Sequence, residues 1–141
     1  MTDFSIRDIP PSEIQPSVPR DAIPTIDAPV FESAQEARTW MDGRAPVIAL
    51  EIDGDARAYP LSIMLWHEII NDDVGGRPLL VTFCPPCHTA LVYARVLDGR
   101  ERHFGNLRFS DMVMYDRATE SWWQQATGRA IVGELTELMA A

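Results

Sequence analysis

The chain has 141 residues, 46% of them hydrophobic and 23% charged, with a formal net charge of −9. That length and balance fit one soluble domain able to bury a core without a disulfide or metal staple. The acidic excess argues against a nucleic-acid or anionic-membrane partner, and no stretch reaches the ~20 apolar residues of a membrane span. All twelve cations are arginine, so lysine Schiff-base and lysine general-base chemistry are excluded.

Six of the eleven prolines fall in residues 1–30: Pro10, Pro11, Pro16, Pro19, Pro24 and Pro29. Proline fixes φ and removes a donor, so an extended or irregular arm is expected here, with Ile23, Ile26, Val30 and Phe31 as possible anchors. A single domain is expected over residues 31–141. Its first helix signal is the capping box Ser33-Ala34-Gln35-Glu36, with Asp42-Gly43 as the stop. Val47 to Ile52 and Asp55 to Tyr59 read as a hairpin across Asp53-Gly54. Residues 61–71 read as a helix, with Leu61, Leu65 and Ile69 on one side and a stop at residues 72–76.

The period then changes to two. Strands are expected at Leu79–Phe83, Ala90–Leu97, Arg100–Phe104 beyond the Asp98-Gly99 turn, Met112–Tyr115 and Ser121–Gln125, with a short one at Ala130–Val132. The fold class is α+β: mostly antiparallel sheet, one or two packed helices and the proline-rich arm.

The two cysteines stand in Cys84-Pro85-Pro86-Cys87-His88. A thioredoxin-like dithiol wants a helix after the first cysteine, whose N-terminus lowers the thiol pKa; here a strand follows. Cys-x-x-Cys-His is also the pattern of c-type haem attachment, with His88 as axial ligand. Haem is disfavoured by the stiff proline pair, the surrounding strands and the lack of an export signal. Copper or zinc could be held by Cys84 and Cys87 with His67, His88 or His103 as further ligands. A catalytic thiol with His67 or His88 as base is a fourth reading. A buried structural pair is the fifth, since cysteine is among the most buried residue types.

Several stretches resemble a bacterial and archaeal family catalogued as domain of unknown function 3179. They are Arg57-Ala58-Tyr59-Pro60-Leu61, Trp66-His67-Glu68-Ile69-Ile70-Asn71-Asp72 and Val81-Thr82-Phe83-Cys84-Pro85-Pro86-Cys87. They continue with Phe104-Gly105, Ser110-Asp111, Met114-Tyr115-Asp116-Arg117 and Thr119-Glu120-Ser121-Trp122-Trp123-Gln124. Together they run from about residue 22 to 134. The resemblance implies no established activity. It implies a small residue, often glycine, where His88 stands, which makes His88 a poor family-wide ligand. It also implies longer, often exported relatives. The chain as written carries no signal segment, so a cytoplasmic location is expected, or export if the chain is a trimmed form.

Three functional readings follow. The first is a thiol redox or soft-metal site using Cys84, Cys87 and His67. The second is a non-catalytic structural or binding domain. The third is an enzyme whose polar cluster Asp111, Asp116, Arg117 and Gln124 binds a small molecule, Asp116 and Arg117 being suited to a carboxylate or phosphate. Whether the chain is an enzyme, and its oligomeric state, do not follow from these residues. Trp122 and Trp123 alternate along a strand, so one is expected in the core and the other at a pocket.

Overall fold

Two antiparallel sheets share one core, and strand period decides which side chains lie between them. The computed structural model describes residues 1–13, 18–108 and 111–141. Ser33 caps α1 (Ala34–Ala37) by the expected capping box, although the helix closes after a single turn. β1 (Val47–Ile52) and β2 (Asp55–Pro60) then form the expected hairpin. Asp53 and Gly54 both take positive φ, 50° and 84°, as a two-residue turn of this kind requires.

The helix expected over residues 61–71 is shorter. α2 runs Leu61–His67 and stops at Glu68, whose φ is 61°. Ile69 and Ile70 instead open β3 (Ile69–Val74), which pairs with β4 (Arg77–Cys84). Burial of β-branched residues against Thr82 and Val81 outweighs one further helical turn. Gly75 and Gly76 make the connecting turn with positive φ. A Cβ on Gly75 would collide with the Ile52 carbonyl, so the β1–β2 hairpin can sit close only over glycine. β5 (Thr89–Ala94) completes a three-stranded sheet in the order β3-β4-β5.

Two expected strands are divided. Ala90–Leu97 becomes β5 and β6 (Val96–Leu97), and Arg100–Phe104 becomes β7 (Arg100–Glu101) and the start of β8 (Phe104–Arg108). Arg95 causes the first break. Its buried guanidinium donates to the carbonyls of Leu79 (2.9 Å), Asp72 (3.2 Å) and Arg102 (3.2 Å) and pairs with Asp73 and Glu101. Those bonds replace a regular ladder there. The second sheet has the order β11-β10-β9-β8, with β9 (Met112–Asp116), β10 (Trp122–Gln124) and β11 (Arg129–Val132) near their expected places.

The main core joins the sheets through Ile69, Leu80 and Cys84 on one side and Phe104, Met112, Met114, Trp123 and Ala130 on the other. A second cluster lies on the far face of the four-stranded sheet, with Leu107, Val113, Tyr115, Trp122 and Ile131. The tryptophans therefore do alternate, but both are buried, Trp123 in the main core and Trp122 in the second cluster. Trp122 is covered by the N-terminal segment: Phe4 meets its ring edge-on at 5.1 Å, and its indole N–H donates to Thr2.

Among the described residues, the N-terminal segment meets the sheets at several points. Asp8 N donates to the Ile131 carbonyl and Gly133 N to the Ile6 carbonyl, which covers part of the β11 edge. Ile26 bridges Ile70 and covers the β3 edge. Ile26 thus serves as an anchor, whereas Val30 is exposed. Covered edges remove templates for strand addition. Pro16 lies outside the described residues. Among the described residues no helix is long and apolar enough to cross a membrane.

Candidate functional site

The β4–β5 hairpin ends in the loop Pro85-Pro86-Cys87-His88, because Cys84 pairs with Thr89 on the last rung. Two prolines remove two donors and fix two φ angles, so the loop closes through other groups. His88 N donates to the Pro85 carbonyl at 3.2 Å, and Thr89 Oγ1 to the Cys87 carbonyl at 3.0 Å. Cys87 N donates to Cys84 Sγ at 3.3 Å. The two cysteines form a disulfide with Cα atoms 5.3 Å apart. His88 takes φ 52°, in the left-handed region that glycine occupies at least cost. A glycine at this position therefore serves the turn.

The two sulfurs face different surroundings. Cys84 is 2% exposed and belongs to the main core. Cys87 is exposed at the loop tip. Asp111 reaches this tip from the other sheet, one residue before β9, and its Oδ1 lies 3.7 Å from Cys87 Sγ. A disulfide carries no S–H, so in this state the approach is a contact of carboxylate with sulfur. In the dithiol state the Cys87 thiol would donate across the same gap. Gln124 Nε2 donates to Asp111 Oδ2 at 2.6 Å, and Thr127 Oγ1 donates to Gln124 Oε1 at 2.9 Å. The carboxylate is thus held on one oxygen and presented on the other.

Gln125, just beyond β10, locks the β4–β5 hairpin to that strand. Its fully buried amide donates to Thr82 Oγ1 at 3.0 Å and to the Thr89 carbonyl at 3.1 Å. Tyr93 Oη donates to the Gln125 carbonyl at 2.5 Å, and burial pushes the Tyr93 hydroxyl up, so it stays a donor. The only local hint in the sequence is a second glutamine at a strand end.

Of the residues expected at the site, the structure brings together Cys84, Cys87, Asp111 and Gln124. Cys84, Cys87 and Asp111 have one ligand atom each within 4.8 Å of one another. His67 ends α2, and the adjacent Glu68 carbonyl accepts from Phe83 N, so the helix end does lie beside β4. Its ring, however, is engaged elsewhere: Nδ1 donates to the Pro24 carbonyl at 2.8 Å. His88 is exposed and meets the Phe83 ring edge-on at 6.0 Å. His103 is exposed beside β8. None of the three belongs to the ligand group around the sulfurs.

The polar cluster does not converge. Asp111 and Asp116 flank opposite ends of β9, which separates them by ~16 Å at about 3.3 Å per residue. Asp116 is fully buried and occupied. It accepts from Thr119 N (2.8 Å), Ala118 N (3.1 Å), Thr119 Oγ1 (2.6 Å) and Trp123 Nε1 (3.2 Å), and it pairs with Arg102 at 3.3 Å. It is the anchor of its own turn. Arg117 pairs with Asp27 at 2.7 Å and donates to Thr25. Asp27 in turn accepts from Asn71, which also bonds the Phe104 backbone on both its donor and acceptor sides. Ser110 lies outside the described residues.

Comparison with curated proteins and comparison with solved structures each gave no match. One family model does match, over residues 20–139, which takes in both sheets and the cysteine loop with its Asp111 and Gln124 partners. The chain belongs to the family described as Protein of unknown function (DUF3179).

Proposed function

We propose that the β4–β5 loop is a thiol–disulfide redox site in which Cys87 is the sulfur that exchanges and Cys84 the sulfur that stays inside. The observation that carries this is the asymmetry of the pair: one sulfur buried in the core, the other exposed beside a braced carboxylate. An incoming thiolate attacks Cys87 Sγ, the S–S bond breaks, and Cys84 leaves as a thiolate that accepts the Cys87 N–H bond. A second thiol of the partner then attacks the mixed disulfide. Two electrons pass from the partner dithiol to the protein, which ends with two thiols. In the reverse direction Asp111 is placed to accept the proton of the Cys87 thiol.

The competing reading is a structural pair that never opens. The two are separated by equilibrating the full-length chain in glutathione buffers of stepped potential and counting thiols while circular dichroism reports the fold. Reversible opening of a folded chain, with alkylation at Cys87 before Cys84, supports the redox site. A pair that resists the whole glutathione range, or that opens only as the chain unfolds, refutes it.

A further inference from the structure

We propose that the opened pair is a zinc site whose third protein ligand is Asp111, with neither His67 nor His88 taking part. This rests on the redox reading, because the two sulfurs can bind a metal only after the disulfide is reduced. Three observations converge. Cys84 Sγ, Cys87 Sγ and an Asp111 oxygen already lie within 4.8 Å of one another. Asp111 Oδ2 is taken by Gln124 at 2.6 Å, which leaves Oδ1 aimed at Cys87 Sγ at 3.7 Å. Cys84 Sγ receives the Cys87 backbone N–H at 3.3 Å, a bond that favours a thiolate.

The distances suit a tetrahedral ion. With Zn–S near 2.3 Å and Zn–O near 2.0 Å, sulfur and oxygen ligands stand about 3.5 Å apart and two sulfurs about 3.8 Å apart. The Asp111 gap is already close to the first value, and breaking the S–S bond lets the sulfurs part toward the second. Two thiolates with one carboxylate favour zinc over Cu(I), which prefers an all-sulfur or nitrogen set. The Gln124–Thr127 chain is the kind of outer support that orients a ligating carboxylate. Three protein ligands leave a fourth position for water or a small anionic or carbonyl ligand. In the balanced step, a dithiol reductant delivers two electrons and two protons to the disulfide. Zinc then displaces the two thiol protons. Oxidation by a disulfide reverses this and expels the ion, so loading follows the redox state.

The test uses the full chain, reduced with a non-thiol phosphine and titrated with Co²⁺ as the probe, then with Zn²⁺ as competitor. The expected result is one Co²⁺ per reduced chain with thiolate-to-cobalt charge-transfer absorption, displaced by Zn²⁺, and none in the oxidised chain. Asp111→Asn, which keeps the Gln124 bond, should weaken binding by at least about 10-fold; His67→Ala and His88→Ala should leave it unchanged. No charge-transfer absorption in a folded chain with two counted thiols overturns the zinc site and leaves the redox reading standing. Binding that survives Asp111→Asn, or fails in either histidine variant, overturns the assignment of ligands. A chain that cannot be reduced without unfolding overturns both readings.

Discussion

Asp116→Asn separates a structural carboxylate from a chemical one. The native carboxylate is 0% exposed, and its partner Arg102 keeps only 5% of its side chain accessible. Breaking a buried ion pair by removing one charge costs about 3–5 kcal/mol, because the remaining charge stays desolvated. An asparagine oxygen can still accept from the turn amides at residues 118 and 119, so those bonds are largely kept. The amide nitrogen can accept from neither Trp123 nor Thr119, which bond the second oxygen; the loss of those two bonds is part of that cost. A net loss near 4 kcal/mol follows, a large share of the roughly 5–15 kcal/mol typical of a domain. With a urea m-value of about 2 kcal/mol/M, the midpoint should fall by about 2 M. Tryptophan fluorescence is the readout, since Trp123 touches the altered group. Cys87 reactivity in the folded variant should match the native chain, because the site lies at the other end of β9. A stability loss below about 1 kcal/mol, or a selective loss of thiol chemistry, would refute the structural assignment.

Other outcomes follow from the same geometry. His88→Gly should stabilise the chain by roughly 0.5–1 kcal/mol, by relieving a left-handed conformation, as measured by urea unfolding. Reducing the disulfide should cost only about 2 kcal/mol, because it closes a loop of four residues; the reduced chain should therefore stay folded by circular dichroism. The Tyr115 hydroxyl is pushed up to about 12 by burial and by its bond to Asp21 at 2.5 Å. Its contribution is complete below the ordinary tyrosine value near 10 and is lost as pH rises toward 12; Tyr115→Phe should flatten that alkaline limb. Burial alone would raise Asp27, but Arg117 and Asn71 outweigh it and hold the carboxyl below its usual range. That contribution is present above about pH 4 and lost as pH falls, and Arg117→Ala should reduce the acid sensitivity in a pH series of thermal melts.

Whatever depends on neighbours along the chain could be read directly. Asp53-Gly54 and Asp98-Gly99 demanded tight turns, Ser33 and Glu36 demanded a cap, and alternation placed the later strands to within a few residues. The α+β class and the position of Cys84 at a strand end came from these signals. Local period failed where a distant partner outweighed it. Ile69 and Ile70 continue the spacing of α2, yet they pair with β4, because burial in a sheet outweighs another helical turn. Arg95 lies within an unbroken β-branched and aromatic run, yet its guanidinium takes carbonyls from three other segments and ends the strand.

The candidate site divides in the same way. Cys84 and Cys87 stand out by spacing alone, and the two prolines confine them to one turn. Nothing within several residues of Asp111 points to a sulfur 24 positions earlier, and nothing local distinguishes Asp111 from Asp116. Register decides it: Gln124 pairs opposite Val113, which brings its amide to Asp111 and leaves Asp116 at the far end with Arg102. Spacing in the chain sets turns, caps and faces through bonds a few residues long. The pairing of one sheet end with another is set by burial and hydrogen bonding summed over the whole core, and only the folded chain contains that sum.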